Sequence, residues 1–127
     1  MSRKQLKTMP FSIRPRLRIM RGDDIALGPG RADLLELIAT TGSLRSAAKQ
    51  MGISYMRAWQ LVKFTNQCFR EPVVAAVRGG KTGGGAKLTS AGAKALGLYR
   101  RMEKESQRAA KLPWLDLKRL LKPTRTG

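Results

Sequence analysis

The 127-residue sequence contains no histidine. That removes the one side chain whose ordinary titration lies near neutral pH, and with it imidazole acid–base catalysis and every histidine-bearing metal site. The single cysteine, Cys68, excludes an internal disulfide. It is either a small buried hydrophobe or a thiol with no imidazole to activate it. Acidic residues are scarce, with 8 Asp plus Glu in all, and no two form a plausible dyad. An enzyme is therefore not expected, and neither is a metal or cofactor. No apolar run approaches the roughly 20 residues of a membrane-spanning helix. The first apolar stretch is too short and too interrupted by arginine for a signal peptide. Cytoplasmic, nucleoid-associated residence follows as the expectation, with no membrane partner.

What is abundant is positive charge: 26 Lys plus Arg, for a net charge of +18. Such an excess opposes compaction and draws a chain to polyanions, of which nucleic acid is the commonest. The charge is uneven, since residues 1 to 21 carry Arg3, Lys4, Lys7, Arg14, Arg16, Arg18 and Arg21 and no acid. An apolar content of 42% supports only a modest core, and a second copy would add buried surface.

Residues 1–11 read as a basic arm, 12–110 as one domain and 111–127 as a basic amphipathic tail. From Ser12 to Arg21 the chain alternates Ile13, Pro15, Leu17 and Ile19 with Arg14, Arg16 and Arg18. Period two predicts a half-buried strand, and Pro15 places it at an edge. Its arginine face is either solvated or aimed at phosphate. Gly28-Pro29-Gly30 breaks the chain, and Pro29 suits a first helical turn. Leu34, Leu35, Leu37 and Ile38 mark a helix stopped by Gly42. Ser43 caps a second helix with Leu44, Ala47, Ala48 and Met51 on its inner face. Gly52 ends that helix, Ile53 fills the corner, and Ser54 caps a third helix running to about Cys68.

The stretch from Ser43 to Asn66 carries the function. Small residues at Ala47 and Ala48 let two helices approach closely, Gly52 supplies a positive φ between them, and Ile53 buries itself at the junction. This is a helix-turn-helix pattern, although a helical hairpin in a bundle could share it. Val73 to Val77, a Gly-rich loop through Gly85, and Ala86-Lys87-Leu88 then form a hairpin, the expected wing. Gly80-Lys81-Thr82 in isolation also matches the end of a phosphate-binding loop. Ala75 stands where that motif needs its first glycine, and a strand-like segment follows instead of a helix. Thr89 caps a long fourth helix, with Ala91, Ala95, Leu98 and Met102 at three- and four-residue spacing. The fold expected is mainly α with a small β wing: a winged helix-turn-helix with a long C-terminal dimerisation helix.

Ile53-Ser54-Tyr55, Ala58-Trp59, Gly79-Gly80-Lys81, Gly83-Gly84-Gly85-Ala86, Leu88-Thr89 and Gly92 together resemble the DNA-binding domain of the ModE family of molybdate-responsive regulators, itself related to LysR-type N-terminal domains. The resemblance covers roughly residues 13 to 102. It implies a homodimer held by the first and last helices of the domain, with the second helix of the motif in the major groove. Molybdate-binding modules of that family would follow this domain, and none fits after Met102 in this sequence, so no molybdate binding is expected.

On a 100° wheel with Ala58 inward, Leu61, Val62 and Thr65 share the inner face of the third helix. Met56, Gln60 and Lys63 point outward, with Tyr55 and Trp59 at one edge and Arg57 at the other. Ser54 and Tyr55 lead into the groove, and Gln60 and Arg57 can read adenine and guanine edges. Trp59 is either core or contact. Arg45, Ser46 and Lys49 on the second helix suit phosphates, while Arg78 and Lys81 on the wing suit phosphate or the minor groove. Leu34, Ile38, Leu98 and Met102 are the expected dimer contacts. The tail, with Trp114, Leu117 and Leu121 near helical spacing, is either docked or disordered. The function expected is sequence-specific transcriptional regulation on double-stranded DNA. The rival is a non-specific nucleoid-type DNA- or RNA-binding protein using the same basic surface.

Overall fold

The structure, a computed structural model, describes residues 10–77 and 85–123. The chain divides into two compact units, Arg16–Met102 and a second formed by Met1–Pro15 with Glu103–Gly127.

The first unit opens with an antiparallel hairpin of β1 (Ile19–Arg21) and β2 (Asp24–Leu27), turned at Gly22 with φ +62°. The strand expected from Ser12 to Arg21 is thus only its last three residues. Upstream the alternation persists in exposure, with Arg14, Arg16 and Arg18 exposed and Ile13, Pro15 and Leu17 half-buried. Ladder bonds are missing there because β2 is four residues long and pairs no further than Ile19.

Helix α1 (Pro29–Thr41) begins on its proline and stops at Gly42, whose N–H still donates to the Ile38 carbonyl at 2.9 Å and whose φ of 69° turns the following chain out of the helix. Helix α2 (Leu44–Met51) starts on Ser43, whose hydroxyl accepts from the Ser46 N–H at 3.1 Å, and ends at Gly52, φ 73°. Helix α3 (Tyr55–Cys68) starts on Ser54, which accepts from the Arg57 N–H at 3.0 Å. Each hydroxyl cap satisfies one of the backbone donors that a helix start leaves unpaired.

Strands β3 (Val74–Val77) and β4 (Gly85–Leu88) pair antiparallel, Val74 opposite Leu88 and Val77 opposite Gly85. The Ala86 N–H donates to the Gly42 carbonyl at 3.0 Å, which ties this hairpin to the α1–α2 corner. Helix α4 (Ser90–Ala109) follows, with Thr89 Oγ1 accepting from the Gly92 N–H at 3.0 Å. A mainly helical fold with a small β wing results, as the sequence predicts, and the β1–β2 hairpin is an addition to that expectation.

The core gathers Leu27, Ala32, Leu34, Leu35, Ile38, Leu44, Ala47, Ala48, Ala58, Val73, Val74, Ala86 and Tyr99. Two of these overturn an expectation. Leu34 and Ile38, read from the sequence as dimer contacts, are 1% and 0% exposed within a single chain. The α1 stripe is used up against α2, β2 and the wing hairpin, so a second copy has nothing there left to cover. Leu98 and Met102 are different, at 50% and 43% exposed. Tyr99, on the same helix, is buried with its hydroxyl donating to the Leu17 carbonyl at 2.7 Å. Arg100 ties α4 to α1 through Asp33 at 2.8 Å and Glu36 at 3.3 Å.

In the second unit, α5 (Lys111–Lys118) forms from the first half of the tail, with Pro113 in its opening turn, where the missing N–H costs no helical bond. Leu112, Leu115 and Leu117 are exposed on it. Gln107 Nε2 donates to the Ile13 carbonyl at 3.3 Å. Among the described residues no helix is long and apolar enough to cross a membrane.

Candidate nucleic-acid interface

Helix α3 is fixed from below and bare above. Only Ala58 and Thr65 are buried on it, and the half-buried Leu61 and Val62 pack against the core beside them. Thr65 has its hydroxyl satisfied by the Leu61 carbonyl at 2.8 Å. Ile53 seats the turn, its N–H donating to the Ala48 carbonyl at 3.1 Å. The far end of α3 is held by a residue that periodicity does not single out. Asn66 Oδ1 accepts from the Val73 N–H at 2.8 Å and the Val74 N–H at 3.2 Å, while its Nδ2 donates to the Val74 carbonyl at 3.1 Å. A side-chain amide with both a donor and an acceptor can mimic a strand edge, and here it docks the wing hairpin onto α3.

The outward face is composed as the wheel predicts: Tyr55, Met56, Arg57, Trp59, Gln60 and Lys63 are all exposed. Of its apolar and aromatic members Met56 is the most exposed, at 60%. Trp59 is 44% exposed, and the Lys63 ammonium lies 5.0 Å from its ring centroid. Its ring is therefore outside the core. On α2, Arg45, Ser46 and Lys49 are exposed, and the Arg45 guanidinium sits 4.7 Å from the Tyr55 ring centroid. That cation–π contact joins the α2 cations to the leading end of α3. Ser54 is occupied as the α3 cap, so its hydroxyl oxygen already has one backbone partner.

Arg78 and Lys81, the expected wing contacts, lie outside the described residues, as does the arm through residue 9. Among the described residues no three His, Cys, Asp or Glu side chains group as metal ligands. Burial first, then the nearby Arg57 charge, pushes Arg31 below the ordinary guanidinium range. Cys68 is half-buried.

No family model matches the chain. It is 46% identical over 77 residues to the molybdenum-pterin-binding protein MopB of Rhodobacter capsulatus, covering 61% of this chain and 28% of that protein. To the molybdenum transport protein ModE of Azotobacter vinelandii it is 42% identical over 84 residues, 66% of this chain and 31% of the relative. To the DNA-binding transcriptional dual regulator ModE of Escherichia coli (strain K12) it is 41% identical over 81 residues, 64% and 31% respectively. The chain thus spans less than a third of the length of these curated relatives. In three dimensions it superimposes on the crystal structure of a CbnR_DBD–DNA complex with a TM-score of 0.54 at 17% identity, covering 68% of this chain and 94% of that one. At that identity the likeness speaks for the fold alone, a winged helix.

Proposed function

We propose that this chain, which carries a ModE-like winged helix, is a transcriptional regulator that binds duplex DNA as a homodimer, with α3 in the major groove. The observation that carries this reading is the outward face of α3. Six large or hydrogen-bonding side chains stand exposed there, on a helix capped at its start by Ser54 and docked near its end by Asn66. A rigid helix with a polar, aromatic and basic outer face suits base-edge contact, and the exposed Arg45, Ser46 and Lys49 beside it suit phosphates. The net charge of +18 supplies the sequence-independent attraction. Such a protein works where its DNA is, in the cytoplasm at the nucleoid.

The test is selection of bound duplexes from a random pool, followed by competition of the recovered sequence against scrambled DNA at near-physiological salt. A specificity ratio of about 10³ or more is expected for a regulator. Equal competition by scrambled DNA would instead identify a nucleoid-type binder.

Dimerisation is proposed through α4. Leu98 and Met102 lie one turn apart on one face and are exposed together, an arrangement suited to a second helix. Light scattering should give twice the 14.0 kDa chain mass at micromolar concentration. Leu98→Glu should restore the single mass, and a wild-type monomer would refute the interface.

For the molybdenum compounds named in its relatives, the expectation is negative. The aligned segment is taken up by the core and the groove face, and its similarity is confined to under a third of those proteins. Calorimetric titration of the 127-residue chain with molybdate should show no micromolar binding. A saturable signal in that range would reverse this.

A further inference from the structure

The two flanks of α3 are not equivalent. With Ala58 inward, Tyr55, Trp59 and Asn66 lie along one flank, and Arg57, Phe64 and Cys68 along the other. The first flank faces α2, as the Arg45–Tyr55 contact shows. The second is overlaid by two arginines from distant parts of the chain. Arg31, in the first turn of α1, holds its guanidinium 5.9 Å from the Phe64 ring centroid. Arg21, at the end of β1, donates from Nη1 to the Gln67 carbonyl at 3.3 Å and lies 3.9 Å from Cys68 Sγ. Their contact points on α3 are three or four residues apart, about 5 Å along its axis.

We infer that Arg21 and Arg31 form a phosphate-binding rail, which grips the DNA strand on the side of the groove opposite to α2. This rests on the proposed insertion of α3. An α-helix with its side chains is about 10–12 Å across and the major groove about 12 Å wide, so a seated helix brings both flanks against phosphate walls. One wall meets Arg45, Ser46 and Lys49. The other meets the rail.

Arg31 is built for an anion that the protein does not itself provide. Its Nε is buried and has no hydrogen-bond partner among the described residues. A guanidinium cannot shed its charge, so burial beside Arg57 leaves an unmet electrostatic demand. Among the described residues no carboxylate forms an ion pair with Arg31. A phosphate oxygen at the solvent-facing edge of the half-buried guanidinium would offset that charge, with Nε itself remaining enclosed.

The test measures duplex affinity of Arg21→Ala, Arg31→Met and Arg31→Lys at 50 and 200 mM salt, on the selected and scrambled duplexes. Methionine keeps the apolar contact with Phe64 and lysine keeps the charge. Arg21 is exposed, so its alanine variant disturbs no core. Each lost phosphate contact lowers the log–log salt slope by about 0.9, so the affinity deficit should shrink about 3.5-fold between the two salts. The deficit should be equal on both duplexes, and Arg31→Lys should keep the wild-type slope. Unchanged slopes in Arg21→Ala and Arg31→Met, beside a steep wild-type slope, overturn the rail and leave DNA binding intact. A wild-type chain without salt-dependent duplex binding overturns both.

Discussion

Gln60→Ala should lose roughly 1–3 kcal/mol of binding free energy on the selected duplex and much less on scrambled DNA. Gln60 stands exposed in the middle of the outward face of α3, where its amide can offer adenine both a donor and an acceptor. Removing it takes away discrimination while leaving the phosphate contacts in place. Arg57→Ala should follow the same pattern. Lys49→Ala, on α2, should instead weaken both duplexes by the same factor and flatten the salt dependence. The comparison needs binding curves for the three variants on both duplexes. Should Gln60→Ala and Lys49→Ala lose affinity in equal proportion on both, α3 is not the reader, and the nucleoid-type account takes its place.

Gly92→Ala should be the most damaging glycine-to-alanine change among the described residues. A Cβ at Gly92 would stand 2.0 Å from the Val73 carbonyl oxygen and 2.9 Å from its carbon. Both are backbone atoms, and neither can swing aside. That carbonyl also accepts from the Thr89 N–H at 3.0 Å, and Val73 is itself held by Asn66. The clash therefore pulls on the start of α4, the wing hairpin and the end of α3 at once. Overpacking of this kind costs about 3 kcal/mol or more. For a unit of this size that lowers the melting temperature by about 12–24 °C. Gly97 is the control on the same helix, since a Cβ there meets nothing within 4 Å. Gly97→Ala should stabilise by up to about 1 kcal/mol through helix propensity. Circular dichroism melts of the two variants decide the matter. A Gly92→Ala chain that melts with the wild type would show that α4 can slide away from Val73.

The resemblance quoted from sequence included Gly92 without a physical reason for it, and the close approach to Val73 supplies one. The type of Trp59 favours core slightly over contact, because a large aromatic at the edge of a helical stripe usually buries itself. Its exposure and the Lys63 contact place it outward. Leu34 and Ile38 misled for a related reason. Their spacing announces an apolar face but not what covers it, and the single chain covers both fully. The β1–β2 hairpin escaped notice because Asp23 and Asp24 interrupt any apolar period, and its turn depends on one glycine.

The sequence by itself determined the local framework. The Ser43, Ser54 and Thr89 caps, the Gly42 and Gly52 stops and Pro29 at a helix start are all decided within a few residues, since backbone geometry and capping bonds act over one turn. The outward face of α3 was legible for the same reason, because one helix wheel suffices to sort it. Tertiary structure alone decided whatever depends on distant partners. It alone set which apolar faces are already spent, how Asn66 closes on Val73 and Val74, and how Tyr99 finds Leu17. It alone brought Arg21 and Arg31 to the same flank of α3. Those pairings join residues far apart in the chain, and periodicity carries no information about them.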